Sequence, residues 1–236
     1  MSEKTPNLNT ESARRYDAET RHTYDKIRSE PHYLDWENQP LVYKIYQGLP
    51  QIHLEPEWSG LDRNTLDALS DLESKASQET SPEIDRTTLS RMLFHAYGQT
   101  ARKSYPGAVY YLRAAPSAGA LYPAELYFVS RSLEGIAPGV YHFDTGQGRL
   151  TCLREGDFSE TMAACCSIPD VVRESPITFL LSAIPWRSSW KYRSRAYRYC
   201  ALDSGHLAGN LLPIGSVSGF KPVLLCNFLD GPVNRL

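Results

Sequence analysis

The stretch Arg113-Ala114-Ala115-Pro116-Ser117-Ala118-Gly119-Ala120-Leu121-Tyr122-Pro123-Ala124-Glu125-Leu126-Tyr127 decides how this chain is read. Small residues and two prolines lie between an arginine and an alternating apolar segment. Pro116 and Pro123 each remove a backbone donor and fix φ, which rules out an ordinary helix. Ser117 to Ala120 offers too little side chain for an ordinary strand. A backbone of such small residues can approach a flat or phosphorylated group closely, with its N–H groups free to donate. On composition alone, a tight turn between two sheet elements is the plainer alternative.

Around this loop, 236 residues suggest one large domain, or one domain with an arm. With 42% apolar and 22% charged residues, the chain can bury a real core and is not disordered. A net charge of −2 argues against broad nucleic-acid binding. No apolar run is long enough for a membrane span, and residues 1–30 carry alternating charges without the apolar core of a secretory signal. The five cysteines, Cys152, Cys165, Cys166, Cys200 and Cys226, include no Cys-x-x-Cys pair. An odd count without that spacing argues against a zinc site or disulfide framework and suits a reducing cytoplasm.

The hydrophobic pattern predicts a polar helix over Glu11–Ser29 that needs another surface to hold it, followed by an extended, Pro-, Trp- and Tyr-rich arm over residues 30–59. Helices are expected over Leu61–Lys75 and Asp85–Tyr97, the second capped by Asp85 and stopped at Gly98, with a polar stretch at 76–84 between them. Glu125–Arg131, Gly139–Asp144 and Arg149–Arg154 read as strands, with Thr145–Gly148 as a hairpin turn, and Asp157–Ser167 as a short helix. Ile177–Ile184 and Pro222–Leu229 read as buried strands. Arg187–Leu202 and Asp203–Gly215 read as successive helices. Pro213 is expected to kink or end the second near Leu212. Helices flanking a sheet make the class α+β.

The densest basic cluster, Arg187, Lys191, Arg193, Arg195 and Arg198, is interleaved with aromatics. It reads either as a solvated helix face or as an anion site. Asp203-Ser204-Gly205-His206 lacks the Gly-x-Ser-x-Gly spacing of a nucleophile elbow. Asp203 and Ser204 read instead as helix caps, and His206 as a buried or cofactor-proximal structural histidine. His142 lies between Tyr141 and Phe143 in a strand and faces opposite to both. Neither Gly-x-Gly-x-x-Gly nor a Walker loop is present.

Six segments occur in a telling order: His32–Pro40, the Arg113–Tyr127 loop, Gly139–Asp144, Leu153–Asp157, Trp186–Arg198 and Asp203-Ser204-Gly205. Together they resemble the SagB/ThcOx group of flavin-dependent dehydrogenases in the nitroreductase superfamily, which includes the azoline oxidases of peptide natural-product pathways. The resemblance runs from about Tyr16 to the last residue. It implies a nitroreductase-like α+β fold, with a central mixed or antiparallel sheet flanked by helices. An N-terminal helix and arm (1–59) would precede a flavin domain (60–236) that lacks the family's last strand. It implies FMN as cofactor, held by Arg113, Pro116, Ser117, Ala118, Gly119 and Leu121. Arg113 would favour the reduced, anionic ring, and Arg195 or Arg198 would meet the phosphate. The early Arg-Arg-Ser-x-Arg phosphate motif of many nitroreductases is absent, and Glu73-Ser74-Lys75-Ala76-Ser77 echoes it only faintly. Lys191-Tyr192 matches the catalytic Lys-Tyr pair of azoline oxidases: a lysine whose ammonium is disfavoured by burial can take the proton, while the tyrosine orients substrate. The bland alternative is a solvated lysine beside a core aromatic. The implied function is FMN-dependent dehydrogenation of a peptide-borne azoline or similar small group by a cytoplasmic homodimer, or by a pairing with a second nitroreductase-like unit. The rival is a non-catalytic module acting in binding or dimerisation with a partner enzyme. Neither nucleic acid nor membrane is expected as a partner.

Overall fold

A computed structural model describes residues 10–236, apart from 30, 31, 60, 62, 74–82 and 132. The polar start, most of the 76–84 connection and the Ser74–Ser77 echo lie outside the described residues. The elements run α1 (Glu11–Thr20), α2 (Tyr24–Ser29), β1 (Gln51–His53), α3 (Thr65–Glu73), α4 (Arg86–Tyr97), β2 (Gln99–Tyr105), β3 (Ala108–Arg113), β4 (Ala124–Ser130), β5 (Gly139–Asp144), β6 (Arg149–Glu155), α5 (Ser159–Ala163), α6 (Pro169–Glu174), β7 (Ile177–Ala183), α7 (Pro185–Tyr192), α8 (Ala196–Val217) and α9 (Asp230–Val233). Among the described residues, five strands form an antiparallel sheet in the order β1-β6-β5-β4-β7, and β2 pairs only with β3.

The period-2 alternation of β4 and β5 sorts the sheet into two faces. Leu126, Phe128, Tyr141 and Phe143 point to one side, where they meet Leu93, Phe94 and Tyr97 of α4 and Leu207 of α8 in the main core. Val129 and Val140 point to the other side and meet Met162 of α5 and Val172 of α6. Phe128 and Tyr141 stack at 5.2 Å between ring centroids. Asp85 caps α4 as expected, accepting from the Thr88 N–H at 2.7 Å. Gly98 ends the helix for a different reason than a left-handed turn. Its φ is −65°, and a Cβ there would lie 2.6–2.8 Å from Phe94 atoms.

Several expectations are corrected. Glu11–Ser29 is two helices, broken at residues 21–23. The first docks where α8 begins: the Tyr16 hydroxyl donates to the Ser194 carbonyl (2.8 Å) and accepts from the Arg198 N–H (3.2 Å), filling groups that a helix start leaves open. The break between the last long helices falls at Arg193 (φ +51°), not at Leu202–Asp203. Asp203 and Ser204 are therefore mid-helix residues rather than caps, and His206 is exposed. α8 continues through Pro213 to Val217. The carbonyl that proline strips of its partner belongs to exposed Gly209, where water can satisfy it. β7 is an edge strand of this sheet, only half-buried, rather than a central one. Residues 221–228 form no strand. They run as an irregular strap that is tied to the α5–α6 connection through Ser167–Asn227 and Leu229–Cys165 backbone bonds. Leu225 covers the smaller core while Val223 and Leu224 stay exposed. The β2–β3 hairpin, β1, α6 and α9 were not anticipated.

A buried polar chain joins the arm to the sheet. Arg187, on α7, donates from Nε to the Leu41 carbonyl and from Nη1 to the Tyr122 carbonyl, both at 2.8 Å, and pairs with the Glu125 carboxylate. Glu125 in turn bonds His142 Nε2 at 2.6 Å. Burial alone would raise the Glu125 carboxyl, but the His142 hydrogen bond and the Arg187 charge outweigh it and hold the group below its ordinary value of 4.5. Such a group adds stability above pH 4.5 that is lost as pH falls through the lower folded value. Urea midpoints measured against pH should therefore drop on the acid side, with Glu125→Gln flattening that limb. Arg187→Ala should cost about 3–5 kcal/mol, because it leaves a buried carboxylate without its cation.

Candidate functional site

The Arg113–Tyr127 loop enters from β3 and leaves into β4. It turns through positive φ at Gly119 (+66°), Ala120 (+53°) and Tyr122 (+46°), the last two being non-glycine residues in the left-handed region. Each such residue costs about 1–2 kcal/mol, so surrounding groups must impose the shape. Ser117 and Asp203 do much of this. The Ser117 hydroxyl donates to Asp203 Oδ2 at 2.6 Å and accepts from the Tyr122 N–H at 2.8 Å. The Ala118 N–H reaches Asp203 Oδ1 at 3.4 Å, and the Ala120 N–H bonds the Ser117 carbonyl at 3.1 Å. Burial raises the Asp203 carboxyl, against the pull of these two donors. Asp203 is the residue of this site that sequence reasoning misplaced. Local pattern offers it only as a helix cap, because nothing in one sequence links position 203 to position 117.

Arg113 is buried, at 6% exposure. Its guanidinium sits 4.5, 4.6 and 5.3 Å from the rings of Tyr122, Tyr97 and Tyr43, and Nη2 donates to the Val42 carbonyl at 2.7 Å. No carboxylate forms an ion pair with it among the described residues. Three aromatic faces partly replace its hydration, and its charge is left unneutralised beside the loop. Burial pushes the Tyr97 hydroxyl up to about 12 despite that charge.

The fold brings Lys191 and Tyr192 to the same loop. A Cβ built on Gly119 would lie 2.7 Å from the Tyr192 hydroxyl and 3.1 Å from Lys191 Nζ. Tyr192 is flanked by Tyr199 at 4.4 Å and by the Arg195 guanidinium at 5.6 Å. Burial, and then the Tyr199 phenol, hold the Tyr192 hydroxyl above its ordinary value of 10.0, so it is a protonated donor at neutral pH. Arg195 thus stands within this aromatic group. Arg198 does not: it pairs with Asp17 at 2.9 Å and Thr20 at 3.1 Å of α1. Pro116 is exposed at the loop's start, and Leu121 is buried beneath it. Among the described residues, no group of three or more His, Cys, Asp or Glu is placed to hold a metal, and no helix is long and apolar enough to cross a membrane.

The chain is similar to a candidate nitroreductase of Methanocaldococcus jannaschii, with 26% identity over 148 residues, covering 63% of this chain and 71% of that protein. It is 30% identical over 112 residues to the trifolitoxin-processing protein TfxB of Rhizobium leguminosarum bv. trifolii, covering 45% of this chain but 30% of TfxB. A crystal structure of a candidate nitroreductase from Anabaena variabilis matches with a TM-score of 0.76 and 33% identity, over 95% of this chain and 42% of that one. No protein-family profile matches. The fold is nitroreductase-like, and the relatives from Methanocaldococcus jannaschii and Anabaena variabilis are described as nitroreductases.

The Ser117–Asp203 contact makes a direct prediction. Asp203→Ala strips the Ser117 hydroxyl and the Ala118 N–H of a buried acceptor, at a cost of about 1–3 kcal/mol. Hydrogen exchange at the Ala118 and Tyr122 amides should speed up in the variant, and not in the exposed control Leu202→Ala. Unchanged protection would mean that the loop is held by other groups.

Proposed function

We propose that this chain is an FMN-dependent oxidoreductase that dehydrogenates a peptide-borne azoline or similar small group, acting in a homodimer or beside a second nitroreductase-like unit. The observation that carries the reading is the convergence of three features from distant parts of the sequence: a side-chain-free turn at Gly119, the Tyr192 hydroxyl and Lys191 Nζ against it, and a buried Arg113 without a carboxylate partner among the described residues behind it. These residues fit a flavin. Ala118, Gly119 and Ala120 present backbone with minimal side chain, and Arg113 favours negative charge nearby. Bound FMN would supply the hydride acceptor. Ser117 and Asp203 would hold the loop in shape, with Pro116 and Leu121 bordering it. Arg195 is the better placed of the two phosphate candidates, since Arg198 is engaged with α1.

Removing one hydride and one proton from such a ring leaves a new double bond in it. Lys191 is assigned the proton, and Tyr192, a protonated donor, orients the substrate. Similarity to a trifolitoxin-processing protein supports a peptide substrate, and the nitroreductase-type relatives support redox chemistry. A second reading, a non-catalytic module working with a partner enzyme, is favoured by one observation: Arg198, one of the two phosphate candidates, is already engaged by Asp17 and Thr20 of α1.

Purified protein desalted after incubation with FMN should retain flavin absorbance in stoichiometric amount. A colourless protein would favour the second reading. Lys191→Ala and Tyr192→Phe should keep the flavin and lose roughly a hundredfold or more in turnover. If flavin and activity vanish together, the pair is structural.

A further inference from the structure

The β2–β3 hairpin stands apart from the rest of the molecule. Among the described residues, its strands pair with each other and with no other strand. Pro106 and Gly107 (φ +81°) form the turn at its tip. Its base is anchored: the Ala114 N–H bonds the Gly98 carbonyl at 2.9 Å, the Arg113 N–H bonds the Tyr122 hydroxyl at 3.0 Å, and Gln99 reaches Tyr43 at 2.9 Å. Beyond the base both faces meet solvent. Tyr105, Val109, Tyr110 and Tyr111 are 56%, 45%, 46% and 41% exposed. The register puts Lys103, Tyr105 and Tyr110 on one face and Arg102, Val109 and Tyr111 on the other. A two-stranded ribbon with solvent on both faces is marginal by itself, and a third strand is what such a ribbon needs.

We infer that this hairpin is a docking element for an extended, acidic polypeptide segment that adds to it as a third strand. Neither strand contains proline, so both free edges keep their N–H donors. Arg102 and Lys103 are exposed and form no ion pair among the described residues, and no acidic residue occurs between Gln99 and Pro123. A second copy joined through its own β2 would set Arg102 and Lys103 against their counterparts, which disfavours a second copy as occupant of the β2 edge. Nucleic acid is disfavoured by the chain's net charge of −2. A strand carrying Asp or Glu satisfies the backbone edge, the cations and the tyrosine faces together. β3 continues directly into Arg113 and the Gly119 turn, so a segment seated on the ribbon is delivered beside Lys191. Naming that segment as the substrate rests on the function proposed above; the docking does not.

The test is fluorescence anisotropy of the full chain with a labelled peptide alternating Glu and Val. Two controls replace Glu by Lys, or every second Val by Pro. The Glu-Val peptide should bind saturably, about tenfold or more tighter than either control. Arg102→Glu with Lys103→Glu should weaken it about tenfold, and the milder Gln pair by less. Circular dichroism and melting temperature check that these surface variants remain folded. Absent binding, equal binding of the proline peptide, or unchanged binding by the variants overturns the proposal. So does a variant that shifts the particle from dimer to monomer in light scattering, which makes a second copy the occupant, or tighter binding of an oligo-dT. FMN absorbance is recorded on the same samples. Peptide binding without FMN uptake sinks the flavin reading and leaves the docking standing.

Discussion

The Arg187 guanidinium is the contact on which the rest of this structure turns. One side chain from α7 reaches the arm at Leu41, the end of the glycine loop at Tyr122 and the start of β4 at Glu125. Buried ion pairs contribute little net stability when compared with apolar replacements of the same shape. Their cost falls on alternatives: if the arm lifts or the loop slides, a buried charge is left unpaired. The chain Arg187–Glu125–His142 therefore selects one placement of three segments that local propensity alone would leave free. The arm is secured again at Trp190, whose Nε1 donates to the Asp35 carbonyl at 2.6 Å, and at Tyr127, which bonds Lys44 at 2.7 Å and Tyr46 at 3.1 Å.

What could be read from the sequence followed local rules. The Asp85 cap, the β5–β6 hairpin around Thr145–Gly148 and the alternation of β4 are decided by residues within a few positions of one another, and they appear in the structure close to where they were expected. The misreadings share a cause. Pro222–Leu229 has a strand's composition, but no neighbouring edge takes it, so it became a strap. Pro213 should break a helix, but exposure of Gly209 lets water absorb the loss. Ile177–Ala183 is apolar enough for a central strand, yet it lies at the edge of this sheet, half-covered. In each case tertiary surroundings overrode a sound local preference.

The candidate site divides along the same line. The glycine loop was conspicuous because two prolines and a run of small residues are rare together. Lys191 and Tyr192 stood out only through resemblance, since a Lys-Tyr dipeptide carries no spacing signal. Asp203 was misassigned, because its role depends on Ser117 lying across a helix–loop contact 86 residues away. The tyrosine cage around Arg113 draws on Tyr43, Tyr97 and Tyr122, from three separate segments. A single sequence shows that such residues exist, and not that they converge.

The loop's strain and its surroundings form one physical argument. Ala120 and Tyr122 hold left-handed backbone that most sequences would assign to glycine. Relaxing it would free Ser117 from Asp203, uncouple the Tyr122 carbonyl from Arg187 and move the Tyr122 ring from the Arg113 cation. Each loss exposes or orphans a buried polar group, so the strained turn persists because every route out of it costs more than the strain itself. On the function proposed above, a surface shaped in this way would need little reorganisation when a ligand arrives. The groups beside Gly119 are already in place, and the energy that holds them there was supplied when the chain folded.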